Sequence, residues 1–494
     1  MATRRLIVGR RATAAAAAAA VVLGGCTSTP MVRVPTGSPV PSSRPAITAS
    51  GGAPNAATAC TARRAVPDPT RPKMTLKYDV AADHHSVSGD ESLDFRPDKP
   101  ITELVFRLTA NTKSTVRSGN RVTVTAARAS TGRATVAPTA YHFSPANADP
   151  STQGGLLHIP LGRTVPAGGT VTARISFSLA LGDATASRQF DRIGRAGTFA
   201  YFGSGEPLLA WERGYGWHTE DLANFLGESA TSEAMDVALQ VVAPGQDTVI
   251  ASGDPGAPPG TSSGTRTWHS HLDAARDVSV AVGPFALTDT TVAGVTLRVG
   301  GYDAAVRDAL VPQFRRAISL LVKRYGPFPF PSLSVARVPA SGGGIEYPGS
   351  ILMLDSSRMV AVHETAHQYF YAMLGDSQAM HPWLDEAFAE YAEQVEDGGA
   401  GGHENDLTQV PYPVDSSIQS FGTDGVTYTQ TIYGKGSAAL EAAREAAGPA
   451  RWDAAMCRYI AANAWRIVHP ADFRAAIAGL PAALAVLKKA GAVT

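Results

Sequence analysis

The stretch VHETAHQYF, residues 362–370, places His363 and His367 four residues apart and puts Glu364 directly after the first histidine. Residues four apart on a helix lie one turn apart on the same face. Two imidazoles in that arrangement can bind the same zinc ion, and the glutamate beside the first can reach the water molecule that the metal holds. The spacing therefore predicts a zinc site with His363 and His367 as ligands and Glu364 as the general base.

A catalytic zinc ion usually has three protein ligands, and Glu386 is the candidate for the third. It follows His367 after 18 intervening residues, within the element HPWLDEAFAEYAE. With this spacing the chain resembles the gluzincin aminopeptidases, the family of aminopeptidase N, whose signature is HExxH, eighteen residues and the Glu of a WLNE or WLDE element. The resemblance implies one Zn²⁺ ion per chain, held by His363, His367 and Glu386.

A second stretch, GGGIEYPG at residues 342–349, resembles the segment with which this family recognises its substrates. The resemblance implies that Glu346 pairs with the α-ammonium group of the substrate and that Gly343 and Gly344 also bind substrate. The alternative for Glu346 is an exposed carboxylate on a strand edge. Most members of the family have an asparagine after this glutamate, whereas the chain has Tyr347.

A third stretch, YTQTIYGKG at residues 428–436, resembles the segment that carries the catalytic tyrosine of the family. The resemblance assigns that role to Tyr433, in place of the core packing expected for a lone tyrosine. Tyr428 matches another active-site tyrosine of some members, with packing in the core as the alternative. The resemblance extends from about residue 73 to residue 480, and it implies a metallopeptidase.

These residues can be given chemical roles. Zinc would lower the pKa of its water from about 15.7 toward about 7. Glu364 would accept the proton and return it to the leaving amine. Tyr433 would donate a hydrogen bond to the oxyanion, a contact typically worth about 3 to 4 kcal/mol in the transition state. Glu346 would hold the α-ammonium group so that only the first peptide bond reaches the metal, which distinguishes an aminopeptidase from an endopeptidase.

Four other residues have less specific interpretations. Glu390 could orient a ligand histidine through its ring N–H, but we favour a surface charge. Asp385 belongs to the motif, and no chemistry follows from its position. Burial is the favoured interpretation for Trp211 and Trp217, although both could approach the cleft.

The chain before residue 300 has the periodicity of β-strands. Apolar residues recur at every second position in three stretches: Met74 to Val80, Val171 to Leu179, and Met235 to Val241. Turn-rich segments separate them, and helical periodicity is hard to find there. We therefore expect an antiparallel β-sandwich domain over residues 73–300. The family resemblance implies that this domain is saddle-like.

Helical periodicity begins near residue 304, where AAVRDALVPQFRRAISLLVKRYG places apolar residues on one face and stops at a glycine. We expect a second helix from about residue 357 to Gly375, with the HExxH motif on it. The family resemblance implies that residues 301–494 form a thermolysin-like, mainly α-helical catalytic domain. The fold class is thus multi-domain α+β. About 110 residues follow Glu386, so we expect a short bacterial type without the large C-terminal helical domain.

The N-terminal residues 1–25 resemble a lipoprotein signal peptide. Arginines precede an alanine-rich apolar run too short to span a membrane, and the run ends in LGGC. That ending resembles a lipobox, which implies lipidation of Cys26. An ordinary cleavage site after small residues is the alternative, and export could use the Sec or the twin-arginine route. Residues 26–72 are rich in Pro, Ser, Thr and Ala, which predicts a disordered stalk.

Cys60 and Cys457 are the other two cysteines of the chain. Because disulfides persist outside the cytoplasm, they could form a bridge, or Cys457 could be a buried free thiol. Lys plus Arg and Asp plus Glu both number 43, so the net charge gives no indication of nucleic-acid binding.

The function predicted from the sequence is a zinc-dependent aminopeptidase that removes N-terminal residues from peptides outside the cytoplasm. We expect it at the extracytoplasmic face of the cell membrane, attached through a lipid on Cys26, or secreted. The alternatives are a zinc endopeptidase of the same fold and a non-catalytic peptide-binding lipoprotein. The predicted partners are peptide substrates and the membrane.

Overall fold

The strands predicted from two-residue periodicity are present in the structure, a computed structural model of the chain. Lys73–Val80, Val171–Ala180 and Met235–Pro244 are strands in which buried side chains alternate with more exposed ones. The structure describes residues 60–131, 140–185, 191–223, 231–255, 260–262, 264–397 and 406–494. All of them belong to one compact unit, residues 56–494. The predicted signal peptide and Cys26 lie outside the described residues.

The β part of the molecule, residues 73–283, contains several sheets. One has the spatial order Asp254–Pro255, Thr265–Ala275, Met235–Pro244, Lys73–Val80, Ser86–Phe95, Val171–Ala180 and Arg121–Thr131, with Gly260–Ser262 also beside Thr265–Ala275. A second has the order Leu208–Leu209, Ile101–Arg107, Leu156–Val165 and His142–Ser144. A third has the order Thr248–Ala251, Ser279–Gly283, Phe199–Gly203 and Ile193–Ala196. Trp211–Glu212 pairs with Gly216–Trp217.

One strand pair departs from the antiparallel arrangement that we expected. Lys73–Val80 runs parallel to Met235–Pro244, with Leu76 opposite Leu239. More than a hundred residues separate the two strands in sequence, so no hairpin turn forces them to be antiparallel. The apolar side chains of both strands still alternate into the same core.

A mixed sheet, within residues 286–353, links the β part to the helices. Its spatial order is Ala286–Val292, Val295–Gly301, Ser332–Arg337, Ser350–Met353 and Gly344–Tyr347. The last of these, Gly344–Tyr347, is called the edge strand below. Since the mixed sheet takes strands from both sides of residue 300, the domain boundary proposed there stays a prediction.

Helices dominate the C-terminal part of the chain. The α-helices are Lys113–Arg117, Ala304–Tyr325, Arg358–Ala366, Glu386–Asp397, Asp406–Gln409, Gly425–Thr429, Gly436–Ala447, Pro449–Asn463, Pro470–Ala476 and Pro481–Ala490. Shorter 3₁₀ turns are Thr109–Asn111, Pro382–Leu384 and Ile418–Phe421, and Gln430–Lys435 is π-helical. Within the described residues, no helix has the length and apolarity needed to cross a membrane.

The helix predicted near residue 304 is confirmed. It spans Ala304–Tyr325, and Asp303 caps its first turn by accepting a hydrogen bond from the Val306 N–H. Gly326, with φ 87°, ends it. A backbone with positive φ favours glycine, which explains the residue type at this position.

The helix that carries the HExxH motif is shorter than we expected. It spans Arg358–Ala366 and does not reach Gly375. The chain then turns, with Tyr371 at φ 108°. The Tyr371 carbonyl accepts a hydrogen bond from Arg276 Nε at 3.0 Å, and the Gly375 N–H donates to a carbonyl elsewhere in the chain. In a continued helix the Gly375 N–H would donate to the Tyr371 carbonyl. Both groups are instead used in tertiary contacts.

Residues 60–72 of the predicted stalk are described and contact the helices. Cys60 and Cys457 form a disulfide with their Cα atoms 5.4 Å apart. The Arg64 guanidinium lies 5.5 Å from the ring centre of Tyr369, a cation–π contact. Since Tyr369 is two residues from a predicted zinc ligand, this segment is attached close to the HExxH motif.

A histidine–carboxylate network joins the β part to the helices. One oxygen of Glu212 lies 2.6 Å from His469 Nε2, and the other lies 2.7 Å from His218 Nε2. Burial alone would raise the pKa of Glu212, but the hydrogen bonds with these histidines lower it to about 2. The hydrogen bond with Glu212 raises the pKa of His469. Both pKa shifts favour the charged form of the Glu212–His469 pair.

Candidate metal centre

The motif helix, Arg358–Ala366, positions the two predicted histidine ligands. Ser357 caps it by accepting hydrogen bonds from the first turn. His363 lies within the helix, and His367 follows its last residue but keeps a right-handed helical backbone conformation. The two imidazole rings therefore stay one turn apart, with their centroids 4.8 Å from each other. Both side chains are buried.

The glutamate helix, Glu386–Asp397, brings the third predicted ligand to the histidines. Glu386 is its first residue, and its Oε2 lies 3.3 Å from His363 Nε2 and 3.4 Å from His367 Nε2. Tetrahedral ligands with bonds of 2.0 to 2.1 Å are separated from one another by roughly 3.3 to 3.4 Å. The three atoms are thus spaced as ligands of one zinc ion would be.

The electrostatics of the three residues also suit a cation. Burial alone would lower the pKa of His363 and His367, but the surrounding carboxylates raise both well above the ordinary value. Burial would raise the pKa of Glu386, but the two histidines lower it. The surrounding carboxylates therefore favour the protonated, positively charged forms of His363 and His367. A metal ion bound by both histidines would displace one proton from each.

Carboxylates orient both histidines from behind. His367 Nδ1 lies 2.5 Å from Asp385 Oδ1, and the other Asp385 oxygen accepts a hydrogen bond from Gln378 at 3.1 Å. His363 Nδ1 lies 3.4 Å from Glu390 Oε2 and 3.6 Å from Glu393 Oε2. These contacts direct the Nε2 atoms of both rings toward Glu386 and raise their basicity as ligands.

The contacts of Glu390 and Asp385 differ from what was expected from the sequence, and Glu393 was not expected to take part. We favoured a surface charge for Glu390, which is wrong because it is half-buried beside His363. We assigned no chemistry to Asp385, which is buried against His367. Glu393 went unnoticed, although its position seven residues after Glu386 places both on one helix face.

Glu364 lies beside the three ligands with a buried carboxylate. Burial raises its pKa to about 7, although His363 and His367 lower it. Its Oε2 atom is buried and has no hydrogen-bond partner among the described residues. Gly344 lies against it, because a Cβ at that position would be 2.5 Å from Glu364 Oε1. A buried carboxylate oxygen without a partner is unusual and marks a site for a proton or a ligand.

The edge strand brings Glu346 to the same site. Side chains alternate along it, so Ile345 and Tyr347 are buried in a core cluster while Glu346 points to the other face. A Glu346 oxygen lies within 4.8 Å of ligand atoms of His367 and Asp385. The alternative of an exposed carboxylate is wrong, since Glu346 is buried.

Gly343 and Tyr347 of this segment have structural contacts. The Gly343 carbonyl accepts a hydrogen bond from Leu354 N–H at 2.8 Å. The Tyr347 ring is fully buried, and a Cβ on Gly203 would lie 2.0 Å from it. Tyr347 thus packs against the β part.

The predicted catalytic tyrosine lies over one of the histidines. Tyr433 belongs to the π-helical segment Gln430–Lys435, a distortion that is frequent at functional sites. Its ring is parallel to that of His363, with the centroids 5.9 Å apart. Tyr428 is buried and packs edge-to-face on Tyr433 at 5.9 Å. The structure thus places Tyr433 beside His363 and Tyr428 against Tyr433.

Trp211 and Trp217 lie away from these residues. Their rings pack edge-to-face with centroids 4.7 Å apart, and Phe95 packs against both. The interpretation of burial is confirmed for Trp211, which is 2% exposed, and Trp217 is half-buried.

No family model and no curated protein sequence matches the chain. Solved structures do match. The M1 zinc metallopeptidase from Deinococcus radiodurans shares 20% sequence identity and a TM-score of 0.61, over 85% of this chain and 92% of that chain. A glutamate-to-alanine mutant of an M1 zinc metallopeptidase from the same organism, bound to a Tyr-Ser-Ala substrate, shares 18% identity and a TM-score of 0.60, over 86% and 94%. A two-domain M1 zinc metallopeptidase mutant bound to L-tryptophan shares 17% identity and a TM-score of 0.60, over 88% and 98%. The chain therefore has the fold of the M1 zinc metallopeptidases.

Proposed function

We propose that the protein is a zinc-dependent aminopeptidase. The observation that carries the proposal is that Glu386 Oε2 lies 3.3 Å from His363 Nε2 and 3.4 Å from His367 Nε2. The buried carboxylate of Glu364 lies beside these atoms. A structural ion pair would not need a second carboxylate with an unpaired, buried oxygen at the same point. Structures with the same fold bind amino acids and a tripeptide substrate.

His363, His367 and Glu386 would hold the zinc ion. When bound, zinc polarises the substrate carbonyl and lowers the pKa of a water molecule. Glu364 takes a proton from the attacking water and returns it to the leaving amine, a role supported by its buried carboxylate, whose Oε2 has no hydrogen-bond partner among the described residues. The Tyr433 hydroxyl donates a hydrogen bond to the developing oxyanion, a role supported by its position beside His363.

Glu346 makes the protein an aminopeptidase. Its buried carboxylate lies near His367, where an α-ammonium group would pair with it and fix the first residue of the peptide. The peptide bond that follows that residue is then the one placed at the metal. Pairing with a free amine is what distinguishes an aminopeptidase from the endopeptidase alternative.

The test compares free-amine peptides with their N-acetylated forms, in the unmutated protein and in Glu346→Ala. Acetylation removes the charge and leaves Glu346 desolvated without its partner. We expect kcat/KM to fall by orders of magnitude on acetylation, and we expect Glu346→Ala to narrow that difference while zinc content stays constant. Equal cleavage of both peptides by the unmutated protein would instead support the endopeptidase alternative.

A second variant separates an enzyme from a peptide-binding lipoprotein. Glu364→Gln should keep one zinc per chain by elemental analysis and lose hydrolysis, because Glu364 acts on the water and not on the metal. Peptide binding without turnover by the unmutated protein would favour the binding module.

We further propose that the protein consists of a saddle-like β-sandwich and a thermolysin-like catalytic domain. We also propose that the enzyme acts outside the cytoplasm with a lipid on Cys26. The LGGC sequence supports the anchor, and the Cys60–Cys457 disulfide suits an oxidising compartment. Metabolic labelling with a fatty acid tests the anchor. Cys26→Ala should abolish the label, and unlabelled unmutated protein would refute it.

A further inference from the structure

Gln368, the residue after the ligand His367, contacts the hairpin that contains the edge strand. Its side chain is fully buried. The amide Nε2 donates a hydrogen bond to the Tyr347 carbonyl at 3.0 Å, and the amide Oε1 accepts one from the Gly349 N–H at 2.9 Å. Both polar groups of one side chain are therefore used on one turn.

That turn follows Glu346 directly. The edge strand reverses through Pro348 and Gly349, and Tyr347 pairs with Ser350 across the hairpin. Gly349 has φ 64°, a left-handed conformation that glycine adopts without strain. The hydrogen bonds of Gln368 thus tie a tight turn, one residue from Glu346, to the residue beside a metal ligand.

We infer that Gln368 is a positioning residue that fixes Glu346 relative to the metal ligands and so sets the preference for substrates with a free α-ammonium group. This inference rests on the proposed aminopeptidase function. A neutral amide can donate to a carbonyl and accept from an N–H at the same time, whereas a hydrocarbon of similar size can do neither. Displacements of about 1 Å are enough to cost two orders of magnitude in rate where geometry is demanding.

The test is Gln368→Met, which conserves volume and removes both hydrogen bonds. The control is Gln153→Met in the β part, where the exposed Gln153 makes the same kinds of bond with the N–H and carbonyl of Val124. Two quantities are measured for each protein: the ratio of kcat/KM for free and acetylated peptides, and zinc content. A third readout is the Kd of a free-amine tripeptide for each variant combined with Glu364→Gln, by calorimetry.

We expect Gln368→Met to keep its zinc, to bind the tripeptide about 10- to 100-fold more weakly, and to lose a similar factor in the free-to-acetylated ratio. The control should change neither. Gln368→Asn, whose amide is one methylene shorter and cannot reach both groups, replaces the methionine variant if that variant does not fold. A ratio and a Kd equal to those of the unmutated protein would overturn the inference, as would equal losses on both peptides. A ratio near one in the unmutated protein would refute the proposed function itself.

Discussion

Replacing Gly344 with alanine tests whether the edge strand has to lie so close to the general base. A Cβ at this position would lie 2.4 Å from Glu364 Cγ and 2.5 Å from Glu364 Cδ and Oε1. Ordinary contacts begin at 3.4 Å, so the two groups would have to separate by about 1 Å. The segment was predicted to bind substrate through its glycines, but at Gly344 the structure shows a steric reason for glycine.

The carboxylate should move more than the strand. The edge strand is paired with Ser350–Met353 and held by Gln368 at its turn, whereas the Glu364 side chain can rotate about its own bonds. A general base acts only within hydrogen-bond reach of the proton that it removes. We therefore expect Gly344→Ala to lower kcat/KM about 100-fold, which corresponds to about 2.7 kcal/mol in the barrier.

The assay is steady-state hydrolysis of a free-amine peptide, with zinc content measured on the same sample. Because Glu364 is not a ligand, zinc should stay at one per chain. Gly479→Ala is the control, since a Cβ there meets nothing within 4 Å, and it should leave kcat/KM unchanged. Full activity in Gly344→Ala would refute the placement of Glu364 against the strand, and loss of zinc would show that the ligands had moved instead.

Three further outcomes are expected. Tyr433→Phe should lower kcat about 10²- to 10³-fold with zinc retained, and an unchanged kcat in steady-state assays would remove Tyr433 from the mechanism. Joint replacement of Cys60 and Cys457 by serine should lower the free energy of unfolding, by at most about 6 kcal/mol because the bridge spans 397 residues; an unchanged urea midpoint would show that the bridge does not stabilise the fold. The Glu212–His469 pair should stabilise the protein most between about pH 4.5 and 6.5, because the pKa of Glu212 is lowered from 4.5 to about 2 and that of His469 is raised from 6.5. His469→Asn should therefore destabilise more at pH 5.5 than at pH 8.5 in urea unfolding, and equal losses at both would contradict the charged pair.

That His363, His367 and Glu386 lie together could be predicted because their spacing is local. One helical turn separates His363 from His367, and Glu386 opens the next long helix. The residues that orient the ligands were harder to identify. Asp385 meets His367 only after the two helices have packed, so the contact depends on tertiary structure and not on a pattern. Glu390 resembled a surface charge because a single carboxylate on a helix gives no sign of what lies opposite.

The strands were predictable for the same local reason, but their partners were not. Alternation fixes which face of Lys73–Val80 is buried, whereas pairing with Met235–Pro244 depends on residues more than 150 positions away. The end of the motif helix was missed because apolar residues continue beyond it, from Tyr369 to Leu374, and all of these are buried. Burial alone does not distinguish a helix from a turn packed in the core, and the hydrogen bond from Arg276 to Tyr371 decides in favour of the turn.

Two residues without catalytic chemistry of their own set the geometry of the site. Gly344 lets the edge strand approach Glu364, since any side chain would occupy the space that the carboxylate fills. Gln368 holds the end of the same strand to the residue beside a metal ligand. The edge strand thus meets Glu364 at one end, and at its other end, next to Glu346, it is tied to the residue beside His367. Replacing Gly344 or Gln368 should therefore reduce catalysis or change substrate preference before it reduces zinc binding.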